Sequence, residues 1–269
     1  MCCNGNDQKP GSPSGSNSGP NGSNGNACAN GGSPPCADCA YWTQNHIIDY
    51  NGPESKFQTS TQFGVRDCAF RLEANLAAGN ITITSIFQWG TVAADVTNAQ
   101  KANTITQFKA MVGSWGGRFK MKITDPICGE KTLPIQFRLL WSPDDTADTP
   151  PYKVNLYKTY PRAGRTGWFL DIGYDSDVTP NSAWVLAHEY GHTLSLPDEY
   201  FYAGVTSATL VYKKADGTTE SVTLEPSSGN IMYKDGDKTY LKRFYYFTAI
   251  EAQELLRHKS GRNVICEVV

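Results

Sequence analysis

The chain has 269 residues, with 24 basic and 26 acidic side chains and a formal net charge of −2. No run of Lys and Arg is present to track a phosphate backbone, which argues against nucleic acid as a partner. No stretch approaches the roughly 18 apolar residues of a membrane span, and no basic segment leads into an apolar one as in a secretory signal.

Residues 1–35 are nearly all Asn, Gly, Ser and Pro and carry no aromatic side chain. Such a segment buries too little to offset an ordering cost of roughly 1–2 kcal/mol per residue, so it is expected to be a disordered tether. That leaves residues 36–269 for the folded body. The eight cysteines (Cys2, Cys3, Cys28, Cys36, Cys39, Cys68, Cys128 and Cys266) favour an oxidising destination, extracellular or periplasmic. Cys36 and Cys39 have CxxC spacing, and a lone CxxC favours disulfide partners over metal ligands. A Cys-initiated polar tether is also similar to the mature start of a bacterial lipoprotein, with Cys2 or Cys3 acylated.

Segments 67–77 and 80–90 alternate or run apolar at strand length, parted by Gly79 and Asn80. From 95 to 114, Val96, Ala99, Ile105, Phe108, Met111 and Val112 recur mostly at helical spacing, and the run stops at the glycines of "GSWGG". Four strand-like segments follow at 118–124, 133–141, 152–160 and 167–174. Thr179 and Pro180 then supply a cap and a first-turn proline for a helix over 180–194. A hairpin turning at Asp216 and Gly217, a helix over 248–259 and a short strand ending near Cys266 complete the chain. The order implies an α+β fold, a mixed sheet with helices on one side.

The helix over 180–194 carries "HEYGH". His188 and His192 lie one turn apart on one face, so both imidazoles can aim at one point, and only four histidines occur in the chain. Neutral imidazole is a good zinc ligand, and Glu189 projects beside the metal, where a general base can take a proton from water. A catalytic site needs a third protein ligand. Asp198 follows Pro197, which turns the chain out of the helix; Glu199 is the alternative.

The stretch His188, Glu189, His192, Ser195, Asp198 resembles the metzincin signature H-E-x-x-H-x-x-G-x-x-H, and more narrowly that of snapalysin-like members with aspartate last. It departs at Ser195, where the family has a turn-forming glycine. Met232, in "SGNIMYKDGD", resembles the Met-turn methionine that floors the metal in that family, and Tyr233 resembles, one position early, a tyrosine that assists the oxyanion. The resemblance implies a zincin-like fold with a mixed, mostly parallel sheet. It divides the body into an N-terminal lobe (36–194) with the metal helix and a smaller C-terminal lobe (195–269) with the Met-turn.

The implied activity is that of a Zn2+-dependent endopeptidase acting on a polypeptide substrate, which adds as a strand to the sheet edge at 152–160. A secreted or delivered bacterial enzyme or toxin effector, with a secretion-machine carrier or an immunity or inhibitor protein as partner, fits these features. A zinc amidase acting on peptidoglycan peptides and a non-catalytic metal-binding module are the alternatives. Cys36 or Cys39 could also occupy the open metal position in a latent form.

Overall fold

The computed structural model describes residues 37–59, 66–145, 151–158, 167–169, 184–200, 209–224, 229–233 and 239–269. The predicted tether, Cys2, Cys3, Cys28, Cys36 and the Thr179–Pro180 helix start lie outside the described residues. In chain order the elements are β1 (Asn45–Pro53), β2 (Gln58–Thr59), β3 (Asp67–Asn75), β4 (Asn80–Val92), α1 (Asn98–Gly113), β5 (Lys120–Asp125), β6 (Gly129–Trp141), β7 (Tyr152–Tyr157) and β8 (Gly167–Phe169). Then come α2 (Trp184–Thr193), β9 (Thr209–Lys213), β10 (Thr219–Thr223), α3 (Tyr246–Ser260) and β11 (Ile265–Val268). The sequence-predicted elements all have counterparts; β1 and β2 are additional.

Among the described residues, eight strands form one sheet in the order β1-β3-β4-β6-β5-β11, with β7 branching from β4 and β8 pairing with β7; β10, β9 and β2 make a second, small sheet. Phe87 of β4 is opposite both Trp141 of β6 and Tyr152 of β7. A strand has only two edges, so β7 takes over the β4 edge that β3 leaves. The expected mostly parallel sheet is corrected here. β4 runs parallel to β6 and β7, and β7 to β8, but β1/β3, β3/β4, β5/β6 and β5/β11 are antiparallel. The short turns at Gly79 and Gly129, both at positive φ, allow only antiparallel returns.

The register shows where the core sits. Phe70 is level with Ser85, and Leu72 with Ile83 and Phe137, so these side chains share one face. On that face Phe70 meets Phe247 of α3, Ser85 meets Tyr190 of α2, and Phe87 meets Phe108 of α1. All three helices therefore cover the same side. The opposite face carries a level row of Asp49, Arg71, Thr84 and Arg138, in which Arg71 pairs with both oxygens of Asp49 at 2.8 and 2.9 Å.

The helix ends follow local rules. Thr97 and Gln100 form a reciprocal capping box at the start of α1, and Gly261 at φ 66° closes α3 with a bond to the Arg257 carbonyl. β11 pairs with β5, and α3 lies on β1 and β3, so the part of the chain after 194 builds on the same sheet. The predicted boundary between two lobes at 194/195 is thus not a packing boundary: one buried apolar cluster runs through Phe70, Tyr190, Met232 and Phe247.

Cys39 is disulfide-bonded to Cys128, which joins the 3-10 turn Ala37–Thr43 to the turn between β5 and β6. The partner of Cys39 is therefore not its CxxC neighbour, and Cys39 is no candidate for occupying a metal position. Cys68 and Cys266 are buried, and burial pushes the Cys266 thiol up to about 12, which leaves it unreactive. A bridge spanning 89 residues constrains the unfolded chain strongly. Replacing Cys39 and Cys128 together by serine should lower the unfolding free energy by about 2–4 kcal/mol in denaturant titrations, with the slope of the transition altered by the looser unfolded chain.

Candidate metal centre

The helix α2 is seated by the residue between the motif's functional positions. Tyr190 points away from His188 and His192 and is fully buried among Phe87, Phe108, Trp115 and Phe137, ring centroids 6.0–6.5 Å away. Its hydroxyl lies 3.2 Å from Ser85 Oγ, and Trp115 Nε1 donates to the Ala187 carbonyl at 3.2 Å. With that face pinned to the sheet, the two histidines face the opposite way.

The chain leaves α2 through a Schellman turn. Leu196 N–H donates to the Gly191 carbonyl at 3.1 Å and Ser195 N–H to that of His192 at 3.3 Å. Ser195 takes the left-handed position at φ 80°, where glycine is usual, so the turn is built as a glycine would build it. The Ser195 hydroxyl is buried without a partner among the described residues, while its carbonyl accepts from Gln58 Nε2 at 3.0 Å.

This turn and the segment around Met232 orient the imidazoles. His192 Nδ1 donates to the Leu196 carbonyl at 2.8 Å and His188 Nδ1 to the Ile231 carbonyl at 2.9 Å. With both Nδ1 positions used as donors, Nε2 is the nitrogen that each ring in its neutral form offers to a metal. They lie 3.2 Å apart, and Asp198 Oδ1 is 3.0 Å from one and 3.2 Å from the other. Tetrahedral ligands at about 2.0–2.1 Å from an ion stand roughly 3.3 Å apart. The three atoms therefore match three corners of such a set.

His188, Glu189 and His192 form a buried group that could hold a metal ion. Glu189 also comes within 4.8 Å of the imidazole nitrogens, but Asp198 is nearer to both. Glu189 Oε2 is buried and has no hydrogen-bond partner among the described residues. A carboxylate oxygen left in this condition costs free energy unless a proton, a water or an ion meets it. Burial opposes charge on His192, yet the Asp198 and Glu189 carboxylates outweigh it and push the imidazole up to about 9; burial likewise raises the Asp198 carboxyl, but the two histidines together outweigh it and hold it far below its ordinary range. A dication binding here displaces the proton that His192 would otherwise keep.

Glu199, the alternative ligand, is turned away. Its two oxygens accept from Tyr212 Oη at 2.7 Å, Asn230 Nδ2 at 2.9 Å, and Arg243 Nε and Nη2 at 2.7 and 2.6 Å. Its backbone N–H donates to the Met232 carbonyl at 2.9 Å. Met232 is fully buried beneath α2, where a Cβ on Gly191 would run into its sulfur and come within 3.2 Å of the Trp115 ring. Tyr233 is half-buried with its ring against Tyr200 at 6.2 Å, and Tyr200 is 6.4 Å from the His188 ring.

The residues that sequence reasoning missed are Tyr200 and Trp184, which flank His188, and the Tyr212, Asn230 and Arg243 partners of Glu199. The first two bracket the motif and were legible from proximity; the others are remote in sequence. The expected substrate edge at 152–160 also changes. β7 is covered over Asn155–Tyr157 by β8, which becomes the outer strand among the described residues, and Tyr152 is committed to the Thr193 carbonyl at 3.1 Å.

Comparison with protein-family models, curated proteins and solved structures returned no significant match.

Two substitutions test this construction. Ser195→Gly removes a left-handed serine and a partnerless hydroxyl, and should raise stability by about 1 kcal/mol in thermal or chemical denaturation; a loss of stability would contradict the turn as described. Gly191→Ala must displace Met232 or Trp115, and should cost about 1–3 kcal/mol by the same measurement.

Proposed function

We propose that this protein is a zinc-dependent endopeptidase of the metzincin type, with His188, His192 and Asp198 as the protein ligands and Glu189 as general base. The observation that carries the reading is the approach of two imidazole Nε2 atoms and one carboxylate oxygen to 3.0–3.2 Å of one another beside the partnerless Glu189 Oε2. Two nitrogens and one oxygen suit zinc, and three protein ligands leave a position open for catalysis.

A bound zinc ion supplies a Lewis acid that polarises the scissile carbonyl and makes a water acidic near neutral pH. The chain's own part is proton handling and orientation. Glu189 Oε2 takes the proton of the attacking water and delivers it to the leaving amine nitrogen. The Leu196 and Ile231 carbonyls fix which imidazole nitrogen is available, and Met232 supports α2 from below. Tyr233, with its ring against Tyr200, is assigned to the wall of the substrate cleft rather than to the oxyanion.

The Cys39–Cys128 bridge supports an oxidising destination. Among the described residues no helix is long and apolar enough to cross a membrane. The bridge agrees with a secreted or delivered enzyme that meets a polypeptide substrate outside the cell that makes it, with a carrier or inhibitor protein as its further partner.

Elemental analysis of purified protein should find one zinc per chain, lost in His188→Ala and Asp198→Ala. Glu189→Ala should keep the zinc and cleave casein about 10²–10⁴-fold more slowly. Cleavage confined to peptidoglycan peptides would replace the endopeptidase by an amidase with the same centre, and folded wild type without metal would remove the enzyme reading.

A further inference from the structure

Among the described residues, the buried Glu199–Arg243 pair links the segment after α2 to the Met232 turn and to the start of α3. Glu199 is 1 % exposed and directly follows Asp198 in the chain. Its carboxylate receives four hydrogen bonds, two of them from the Arg243 guanidinium in a side-by-side fork. Each donor comes from a different part of the fold. Tyr212 is on β9, Asn230 begins the Met232 turn, and Arg243 lies in the 3-10 turn Lys242–Tyr245 that leads into α3.

The Met232 turn is tied in twice more. Asn230 Oδ1 accepts from Met232 N–H at 2.9 Å while its Nδ2 donates to Glu199, and Glu199 N–H donates to the Met232 carbonyl. Between Asn230 and Met232 sits Ile231, whose carbonyl holds His188 Nδ1. One residue thus locates the neighbouring Asp198 from the chain side and the His188 ring through the Asn230–Ile231–Met232 turn. Two of the three ligand atoms are placed by a carboxylate that itself faces away from them.

We infer that Glu199, held by the Arg243 fork, is a positioning residue that sets the Asp198 and His188 ligand atoms for metal, and that metal affinity depends on this ion pair as a unit. The inference rests on the metal-centre reading above and goes beyond it, because it makes a pair remote from the metal part of the binding function. Arg243 is suited to the task by its planar fork, which fixes both carboxylate oxygens at once; a lysine places one donor without that direction. Its guanidinium also lies 5.9 and 5.4 Å from the centroids of the neighbouring Tyr212 and Phe244 rings, which add to its hold.

A second buried ion pair provides the control. Lys56 pairs with the fully buried Glu251 of α3, whose oxygens accept no further hydrogen bond among the described residues, and Lys56 otherwise bonds to Glu254, away from the Met232 turn and the ligand segment. The experiment measures zinc affinity by chelator competition, and the visible spectrum of the cobalt-substituted protein, in wild type, Glu199→Gln, Arg243→Lys and Glu251→Gln, with folding followed by circular dichroism.

Glu199→Gln is expected to bind zinc about 10–100-fold more weakly with altered cobalt bands, and Arg243→Lys to fall between it and wild type. Glu251→Gln should keep wild-type affinity and spectrum. Should Glu199→Gln fail to fold, Arg243→Lys carries the comparison. Wild-type affinity and spectrum in the folded Glu199 or Arg243 variants overturn the inference while leaving the metal centre standing, as does an equal loss of affinity in Glu251→Gln. A wild type that takes up no metal at all sinks the underlying reading instead.

Discussion

The seating of α2 by Tyr190 is the contact on which the rest of the site depends. A helix carrying two histidines and a glutamate on one side buries polar groups there and must gain its stability from the other. Tyr190 supplies that face, as a large ring packed among four aromatic side chains with its hydroxyl turned to Ser85. Because β4 is paired along both edges, α2 is fixed against an interior strand of the sheet. The imidazoles inherit that placement without touching the sheet.

From this anchor the remaining geometry is built outward by short-range hydrogen bonds. The Schellman turn at Ser195 reverses the chain within a few residues, so that Leu196 can hold His192 and Asp198 can come back over the helix it has just left. The Met232 turn approaches from below and holds His188. Pre-alignment of this kind matters because imidazole rings left to rotate would have to be ordered by the ion itself. Both rings are instead committed through Nδ1.

Much of this was legible in the sequence, and the remainder was hidden for identifiable reasons. Period-two and period-3.6 patterns located β3, β4 and α1, since their buried residues alternate or recur on one face. The spacing of His188, His192 and Asp198 pointed to convergence because it depends on a single helix and the turn that follows it. β1 was missed because "NHIIDYNGP" is a half-exposed edge strand with glycine and proline in it. Strand direction is not encoded in hydrophobic period, so the sheet's polarity could not be read. The Glu199–Arg243 pair joins residues far apart in sequence, and neither side chain carries a local mark of its partner.

The disulfide has a mechanical meaning for the long polar segment before it. Cys39 sits near the start of the described residues and is bonded to the turn between β5 and β6. A pull on the chain ahead of Cys39 would meet that hairpin, whose strand β6 lies beside β4, together with Arg262, which donates to the Asp38 carbonyl. Neither attachment is made to α2 or to the Met232 turn. The protein can thus be held by its leading segment while the ligand atoms stay in register.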